Sequence, residues 1–158
     1  MQFHTEIFSQ FNKKWALLSA GTIDDFNAMT ISWGGMGTLW SRDVVTVYVK
    51  PVRYTWQYME KNDYFTVSFY PEANKRDLSV MGSKSGRECD KVALTSLTPK
   101  ALANGVTFEQ AETTIVCRKL YWQDLTRSVM PQDVVSTYYK EEEPHRMYVG
   151  EVVDIIRG

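Results

Sequence analysis

The 158-residue sequence has few residues of the kinds that support metal or thiol chemistry, with only two cysteines and two histidines. Cys89 and Cys117 lie far apart and form no C-x-x-C pair, so neither a redox dithiol nor a thiolate metal site is predicted, and we expect both thiols to be reduced and buried. His4 and His145 form no H-x-x-x-H or H-E-x-x-H motif. We therefore predict no metal site.

Common catalytic signatures are also absent. No serine lies in G-x-S-x-G, and the nine glycines match neither G-x-G-x-x-G nor G-x-x-x-x-G-K-[ST]. The hydrolase, dinucleotide-binding and P-loop classes therefore have no support. Because no side chain can be singled out as a catalytic residue, we expect any chemistry to depend on a bound cofactor.

Charge and hydropathy exclude two further kinds of partner. The formal net charge is −1 and no basic stripe interrupts the apolar segments, so nucleic acid is not expected to bind. The N-terminal segment has no basic region followed by an apolar run, and no window approaches the roughly 20 apolar residues of a membrane span. We expect one cytoplasmic domain, residues 1–158, that binds a small-molecule substrate and no membrane.

Alternation of side chains predicts a mainly β structure. In the segment 44–49, VVTVYV, the odd-numbered valines share one face and the even-numbered residues share the other. Segments rich in aromatic and β-branched residues are predicted to be strands, namely 15–20, 28–33, 44–49, 64–70, 106–110, 112–122 and 146–156. Short, numerous strands with few long helices between them favour a closed or nearly closed antiparallel barrel.

Helices are predicted between the strands. They cover the following stretches: about 53–61 after Pro51, roughly 74–81 after Pro71, a short piece near 91–95, and one turn after Pro131. The polar segment 124–145 is long for a hairpin loop, and such loops are often lids or binding loops. His145 ends it, either as a proton donor or nicotinamide-orienting group at a pocket mouth, or as a strand-entry residue without a chemical task.

The first polar constellation is NAMTISW, residues 27–33, which is followed by Gly34, Gly35 and Gly37. Strand backbone groups, together with the hydroxyls of Thr30 and Ser32, suit the polar edge of a flat ligand such as a flavin ring. The glycines permit close approach or a sharp turn of the backbone. The alternative is an ordinary strand that ends in a glycine-rich hairpin, with Trp33 in the core.

The second constellation is KPVRYTWQ, residues 50–57. Arg53, Tyr54 and Thr55 combine a cation, a hydroxyl and the N–H groups of a first helical turn, which together suit a phosphate. The alternative is that Arg53 forms a surface ion pair and Thr55 caps the helix.

The third constellation is SKSGRECDK, residues 83–91. Ser83, Ser85 and Gly86 resemble an anion-binding turn whose backbone N–H groups converge. Three cations are interleaved with them: Lys84, Arg87 and Lys91. The alternative is a solvated, charged loop.

Taken together, NAMTISWGG, KPVRYT and GSKSGRECDK, in this order and spacing, resemble the flavin reductase-like family of FMN-binding split-barrel proteins, which includes flavoredoxin-type proteins. The likeness extends from about Trp15 to Asp154. It implies a six-stranded antiparallel Greek-key split barrel with short flanking helices, and a homodimer that holds FMN noncovalently near the subunit interface.

The resemblance also implies which residues contact FMN. The ring side is Asn27 with Met29, Thr30, Ile31, Ser32 and Trp33. The ribityl phosphate side is Arg53, Tyr54 and Thr55. A further phosphate-side or ring-edge loop contains Ser83, Lys84, Ser85, Gly86 and Lys91.

The implied function is an FMN-dependent oxidoreductase that transfers hydride from NAD(P)H through flavin to a flavin or small acceptor. An alternative from another class is an FMN-binding electron carrier or redox sensor that a protein partner reduces. A third is a barrel without a cofactor, whose polar loops serve only solubility. The sequence does not separate NADH from NADPH, because no charged residue can be tied to the ribose 2′ position.

Overall fold

The computed structural model describes residues 1–158, which form nine strands and four α-helices. The strands are β1 (Ala16–Thr22), β2 (Asp25–Ile31), β3 (Gly34–Leu39), β4 (Arg42–Val49), β5 (Tyr64–Phe69), β6 (Pro99–Leu102), β7 (Gly105–Phe108), β8 (Thr113–Asp124) and β9 (Arg146–Arg157). The helices are α1 (Ile7–Asn12), α2 (Tyr54–Lys61), α3 (Lys75–Ser83) and α4 (Gln132–Tyr138). Short 3₁₀ turns cover Glu72–Asn74, Val92–Leu94 and Arg127–Val129.

Seven strands form one antiparallel sheet in the order β2-β1-β5-β8-β9-β4-β3, and β6 and β7 form a separate hairpin. The two edge strands, β2 and β3, are consecutive in the chain and are separated only by Ser32 and Trp33. Three peptide units span at most roughly 11 Å, so the two edges must approach each other at this point. The sheet therefore curls into a barrel that is open between β2 and β3.

The mainly β, antiparallel fold class is confirmed, with seven strands in the sheet instead of six. The additional strand is β3, whose glycines were interpreted as a place for close approach or a turn. These glycines instead lie in the ladder with β4, from Gly34 opposite Val47 to Leu39 opposite Arg42. The turn falls at Trp40 and Ser41, whose φ angles of 54° and 58° match the two-residue type I′ hairpin.

The strand alternation has a direct structural cause in two apolar clusters. Val45, Val47 and Val49 are fully buried inside the barrel, while Thr46 and Tyr48 on the other face are only partly covered. Strand β1 is buried on both faces, because alternate residues enter the barrel core and Leu17 packs in a second cluster with side chains of α3. Since both faces of β1 are apolar, this strand shows no hydrophobic alternation.

Helices α2 and α3 pack against β1 and β2, at the open side of the barrel. Both begin within one residue of the predicted start, whereas α1 was not predicted. None of the four helices combines the length and the apolar character needed to cross a bilayer. The packing places the first turn of α2 and the end of α3 beside the edge strand β2.

A test of the barrel packing uses two glycines. A Cβ atom at Gly150 would lie 2.6 Å from Phe65 Cζ and 2.7 Å from Cys117 Cβ, whereas one at Gly37 would meet nothing within 4 Å. We expect Gly150→Ala to lower the free energy of unfolding by roughly 1–3 kcal/mol, as overpacking does. Urea denaturation measures this, with Gly37→Ala as the control. Equal stability of the two variants would contradict the packing described.

Candidate functional site

The three polar constellations meet at one cleft of about 350 Å³ beside β2. We call it the cationic cleft. Its walls are the part of β2 from residue 27 to residue 30, the first turn of α2 and the loop that follows α3. The predicted site residues that line it are Asn27, Met29, Thr30, Arg53, Tyr54, Thr55, Ser83, Lys84, Ser85, Gly86 and Lys91.

A second cleft of about 220 Å³ continues along β2 toward the β2–β3 connection. We call it the aromatic cleft. It contains the remaining predicted ring-side residues and is lined by Met29, Thr30, Ile31, Ser32, Trp33, Tyr48, Lys50, Arg53 and His145. Because Met29, Thr30 and Arg53 line both clefts, the two are adjacent parts of one trough.

Asn27 links the three constellations. Its buried side chain donates a hydrogen bond from Nδ2 to Thr55 Oγ1 at 2.8 Å. On the other side, a Cβ atom at Gly86 would lie 2.3 Å from Asn27 Oδ1, so only glycine permits the loop to approach this closely. Asn27 and Thr55 thus fix the wall of the cleft, and Thr55 does not cap α2.

The first turn of α2 offers free hydrogen-bond donors. The backbone N–H groups of Tyr54 and Thr55 have no acceptor within the chain, and no side chain caps the helix. The Arg53 guanidinium is exposed and forms no ion pair, which excludes the alternative of a surface salt bridge. A cation beside unpaired helical N–H groups is the arrangement that binds an anion.

Lys91 holds the loop after α3 in place. Its side chain is buried, and Nζ donates to the carbonyl oxygens of Met81 at 2.9 Å and Lys84 at 3.3 Å. Burial, assisted by the nearby Arg53 cation, lowers the pKa of Lys91 to about 8. No carboxylate pairs with this ammonium group, so its positive charge is not cancelled locally.

The other polar side chains of this loop are less well placed to bind a ligand inside the cleft. The Ser85 hydroxyl accepts a hydrogen bond from the Arg87 backbone N–H at 3.2 Å. The Arg87 guanidinium lies 5.1 Å from the centre of the Tyr54 ring. Ser83 and Lys84 are exposed at the rim. The loop therefore contributes mainly backbone and positive charge to the cleft.

The hydroxyls of Thr30 in β2 and of Ser32 just after it differ in whether they have a hydrogen-bond partner within the chain. Thr30 Oγ1 donates to the Leu78 carbonyl oxygen of α3, so it has an internal partner. Ser32 Oγ has no hydrogen-bond partner within the chain and lines the aromatic cleft. Because β2 pairs only with β1, its outward backbone N–H and C=O groups are also free of strand partners.

Trp33 is not a core residue. Its side chain is 42% exposed, and its ring lies 5.3 Å from that of Tyr138 and 5.2 Å from that of His145. The interpretation of Trp33 as a core tryptophan is therefore wrong. Packing requires glycine at the adjacent position 34, since a Cβ atom there would lie 2.6 Å from the Phe11 ring.

His145 forms the far wall of the aromatic cleft. Its Nδ1 lies 2.7 Å from the hydroxyl of Tyr139, which is buried. Burial, together with the cations of Lys50 and Arg53, lowers the pKa of His145 from 6.5 to about 4. The imidazole is consequently neutral at pH 7 and presents one N–H donor.

Sequence reasoning missed two residues of the aromatic cleft, Tyr48 and Lys50. The signal was present, because the period of two in β4 puts both residues on the face opposite the buried valines.

Of the two thiols, Cys117 is buried as expected, but Cys89 is exposed, which corrects the prediction. Cys89 belongs to the polar loop that follows α3. No group of three or more His, Cys, Asp or Glu side chains is arranged to hold a metal ion.

Comparison with known proteins gives a family and a set of similar folds. Residues 8–157 match the family described as flavin reductase like domain. An FMN-binding protein from Thermus thermophilus, solved with bound 1-cyclohex-2-enone, is 21% identical with a TM-score of 0.73, over 99% of this chain and 78% of that one. No curated protein matches the sequence.

Two flavoredoxin structures are similar to a comparable degree. That from Methanosarcina acetivorans is 18% identical with a TM-score of 0.71, over 92% of this chain and 68% of that one. Flavoredoxin of Desulfovibrio vulgaris (Miyazaki F) is 18% identical with a TM-score of 0.69, over 91% and 69%. At such identities the likeness establishes a shared fold.

The low pKa of His145 can be tested by NMR. We expect its ring resonances to titrate near pH 4, in a His4→Gln variant that leaves His145 as the single histidine. Because the folded-state pKa lies below the unfolded one, the stability contributed by neutral His145 is complete above about pH 6.5 and is lost as the pH falls toward 4. A midpoint near 6.5 would contradict the buried environment.

Proposed function

Because the chain belongs to the flavin reductase-like domain family, we propose that it binds FMN noncovalently and acts as an FMN-dependent oxidoreductase. One observation carries this proposal. A cationic cleft and an aromatic cleft lie side by side along the free edge of β2, with Arg53 in the walls of both. FMN has the same two-part character, a phosphate at one end and a flat ring at the other.

The donor set of the cationic cleft fits a phosphate. Arg53 has no internal counterion, and the N–H groups of Tyr54 and Thr55 are unpaired. The backbone at Gly86 closes on Asn27 more tightly than any side chain would permit. These groups would hold the phosphate end of FMN through charge-assisted hydrogen bonds.

The edge of β2 and the aromatic cleft fit the ring. Free backbone groups of β2 alternate donors and acceptors in one plane, which suits the carbonyl and nitrogen edge of a flavin. The Ser32 hydroxyl adds one adaptable partner, and Trp33 gives an apolar surface. Each cleft is at or near the lower end of the roughly 300–1,000 Å³ typical of small-molecule sites.

Bound FMN would supply the redox chemistry, accepting hydride from a reduced nicotinamide nucleotide and passing electrons to a flavin or small acceptor. The chain would supply position and charge. Arg53 and Lys91 make the trough electropositive, which favours an anionic ligand and disfavours its loss. Neutral His145 would donate a hydrogen bond without adding a full charge.

The alternative is an FMN-binding electron carrier that a protein partner reduces. It draws support from the two relatives named flavoredoxin. The two functions share the cofactor and differ in whether a nicotinamide nucleotide can reach the flavin.

The phosphate assignment can be tested by comparing FMN with riboflavin, which lacks the phosphate. We expect Arg53→Met to weaken FMN binding about tenfold to a hundredfold, because a hydrogen bond to a charged group contributes roughly 1.5–3 kcal/mol, and to weaken riboflavin binding much less. Fluorescence titration measures both. Arg76→Met, which removes an exposed cation of α3 outside both clefts, is the control. An equal loss for both ligands would place the phosphate elsewhere.

The electron donor can be tested with the FMN-loaded protein under anaerobic conditions. We expect NADH or NADPH to abolish the visible absorbance of oxidised flavin. If FMN binds and dithionite reduces it, but neither nucleotide does, the electron carrier is the correct function. Failure of the protein to bind FMN at all would overturn both.

A further inference from the structure

Arg146 lies at the centre of a cluster of aromatic and acidic side chains. Its guanidinium carbon is 4.3 Å from the centre of the Trp56 ring and 3.6 Å from that of Trp122. The guanidinium also donates to two carboxylates, at 2.7 and 3.2 Å to Asp124 and at 2.9 Å to Glu60. The Arg146 side chain is only 12% exposed. We call these five residues the Arg146 cluster.

The Arg146 cluster joins three elements that are distant in sequence. Trp56 and Glu60 are four residues apart in α2, so they lie on the same side of that helix. Trp122 and Asp124 lie at the end of β8, and Arg146 is the first residue of β9. Because a planar guanidinium stacks on aromatic rings and donates in its own plane, arginine makes both kinds of contact at once.

No member of the cluster lines either cleft, so any influence on a ligand passes through its neighbours. The first turn of α2 carries the unpaired N–H groups of Tyr54 and Thr55, and Arg53 precedes it. Strand β9 begins directly after His145, which lines the aromatic cleft. The cluster therefore connects the helix of the phosphate donors with the strand that follows the ring-side wall.

Helix α2 is held from its other side by β2. Thr55 Oγ1 accepts from Asn27 at 2.8 Å, and the Tyr58 hydroxyl donates to Asp25 at 2.9 Å. These bonds attach the helix to the edge strand, and the Arg146 cluster attaches it to β9. A shift of α2 away from β9 would break the contacts of the cluster.

We propose that Arg146 is a positioning residue that sets the spacing between the phosphate donors of α2 and the ring-side wall at His145. A ligand that spans both clefts depends on this spacing, whereas a ligand that occupies only the ring side does not. The inference rests on the proposed function, because FMN is the ligand that would span both clefts.

FMN and riboflavin again provide the test. We expect Arg146→Met to weaken FMN binding about threefold to tenfold, within the range of coupling between linked residues, and riboflavin binding less than about twofold. Fluorescence titration measures both. Arg118→Met is the matched control, since Arg118 of β8 pairs with Glu151 at 2.9 Å and lines neither cleft. An equal loss for both ligands, no loss of FMN affinity, or the same effect of Arg118→Met would each overturn the inference.

A double variant shows whether Arg146 acts through the phosphate donors. In an Arg53→Met background, the phosphate has lost its cation, so Arg146→Met should weaken FMN binding less than about twofold further. A merely structural role would give the full additional loss in both backgrounds. That additive result would overturn the assignment of Arg146 as a positioning residue.

A milder variant covers the case in which Arg146→Met does not fold, which circular dichroism would reveal. Asp124→Asn changes a side chain that is 55% exposed and leaves the contacts of Arg146 with Glu60 and both tryptophans in place. It should also weaken FMN more than riboflavin, and an unchanged ratio of the two affinities would overturn the inference. Failure of the unmodified protein to bind FMN would overturn the proposed function itself, whereas normal FMN binding with unchanged ratios in the variants would overturn this inference alone.

Discussion

Ser32 and Trp33 connect the two edge strands of the seven-stranded sheet, and this covalent restraint brings edges that are six strands apart in the ladder into proximity. The edges do not pair with each other, so the outward backbone of β2 is left for other partners. Helices α2 and α3 pack beside it and leave a trough between them. The curl of the sheet, the free edge and the position of both clefts follow from this short connection.

The net charge of the whole chain does not reveal the positive charge concentrated in the trough. The formal net charge is −1, yet the cationic cleft contains four cations and a single carboxylate, which is that of Glu88. Low-dielectric walls strengthen the effect of such charges compared with the same groups in water. A nearly neutral protein therefore presents one strongly electropositive concavity.

Much of the fold could be predicted from the sequence because its causes are local. The valines of β4 alternate because one face is inside the barrel, and α2 begins after Pro51 because that residue restricts the backbone. Strand β3 could not be predicted, since its glycines respond to long-range packing such as the Phe11 ring on Gly34. Local propensity carries no information about such contacts.

The candidate site likewise has features that the sequence could predict and features that it could not. The three motifs predicted residue types that suit an anion and a flat ring. They did not predict which of these polar groups lack a hydrogen-bond partner within the chain and can therefore bind a ligand. Thr30 and Thr55 have hydroxyls engaged within the chain, whereas Ser32 does not. Pairing of this kind depends on residues distant in sequence, among them Leu78 and Asn27, so only the folded structure reveals it.

The hydrogen bonds of Lys91 determine how rigid the cleft wall is before a ligand binds. Its ammonium group ties the loop after α3 to the end of that helix through two carbonyl oxygens. The wall of the cationic cleft is thus preorganised, and its conformational entropy is lost when the chain folds and not when a ligand arrives. Such a site favours rapid, lock-and-key association over closure of the loop around its ligand.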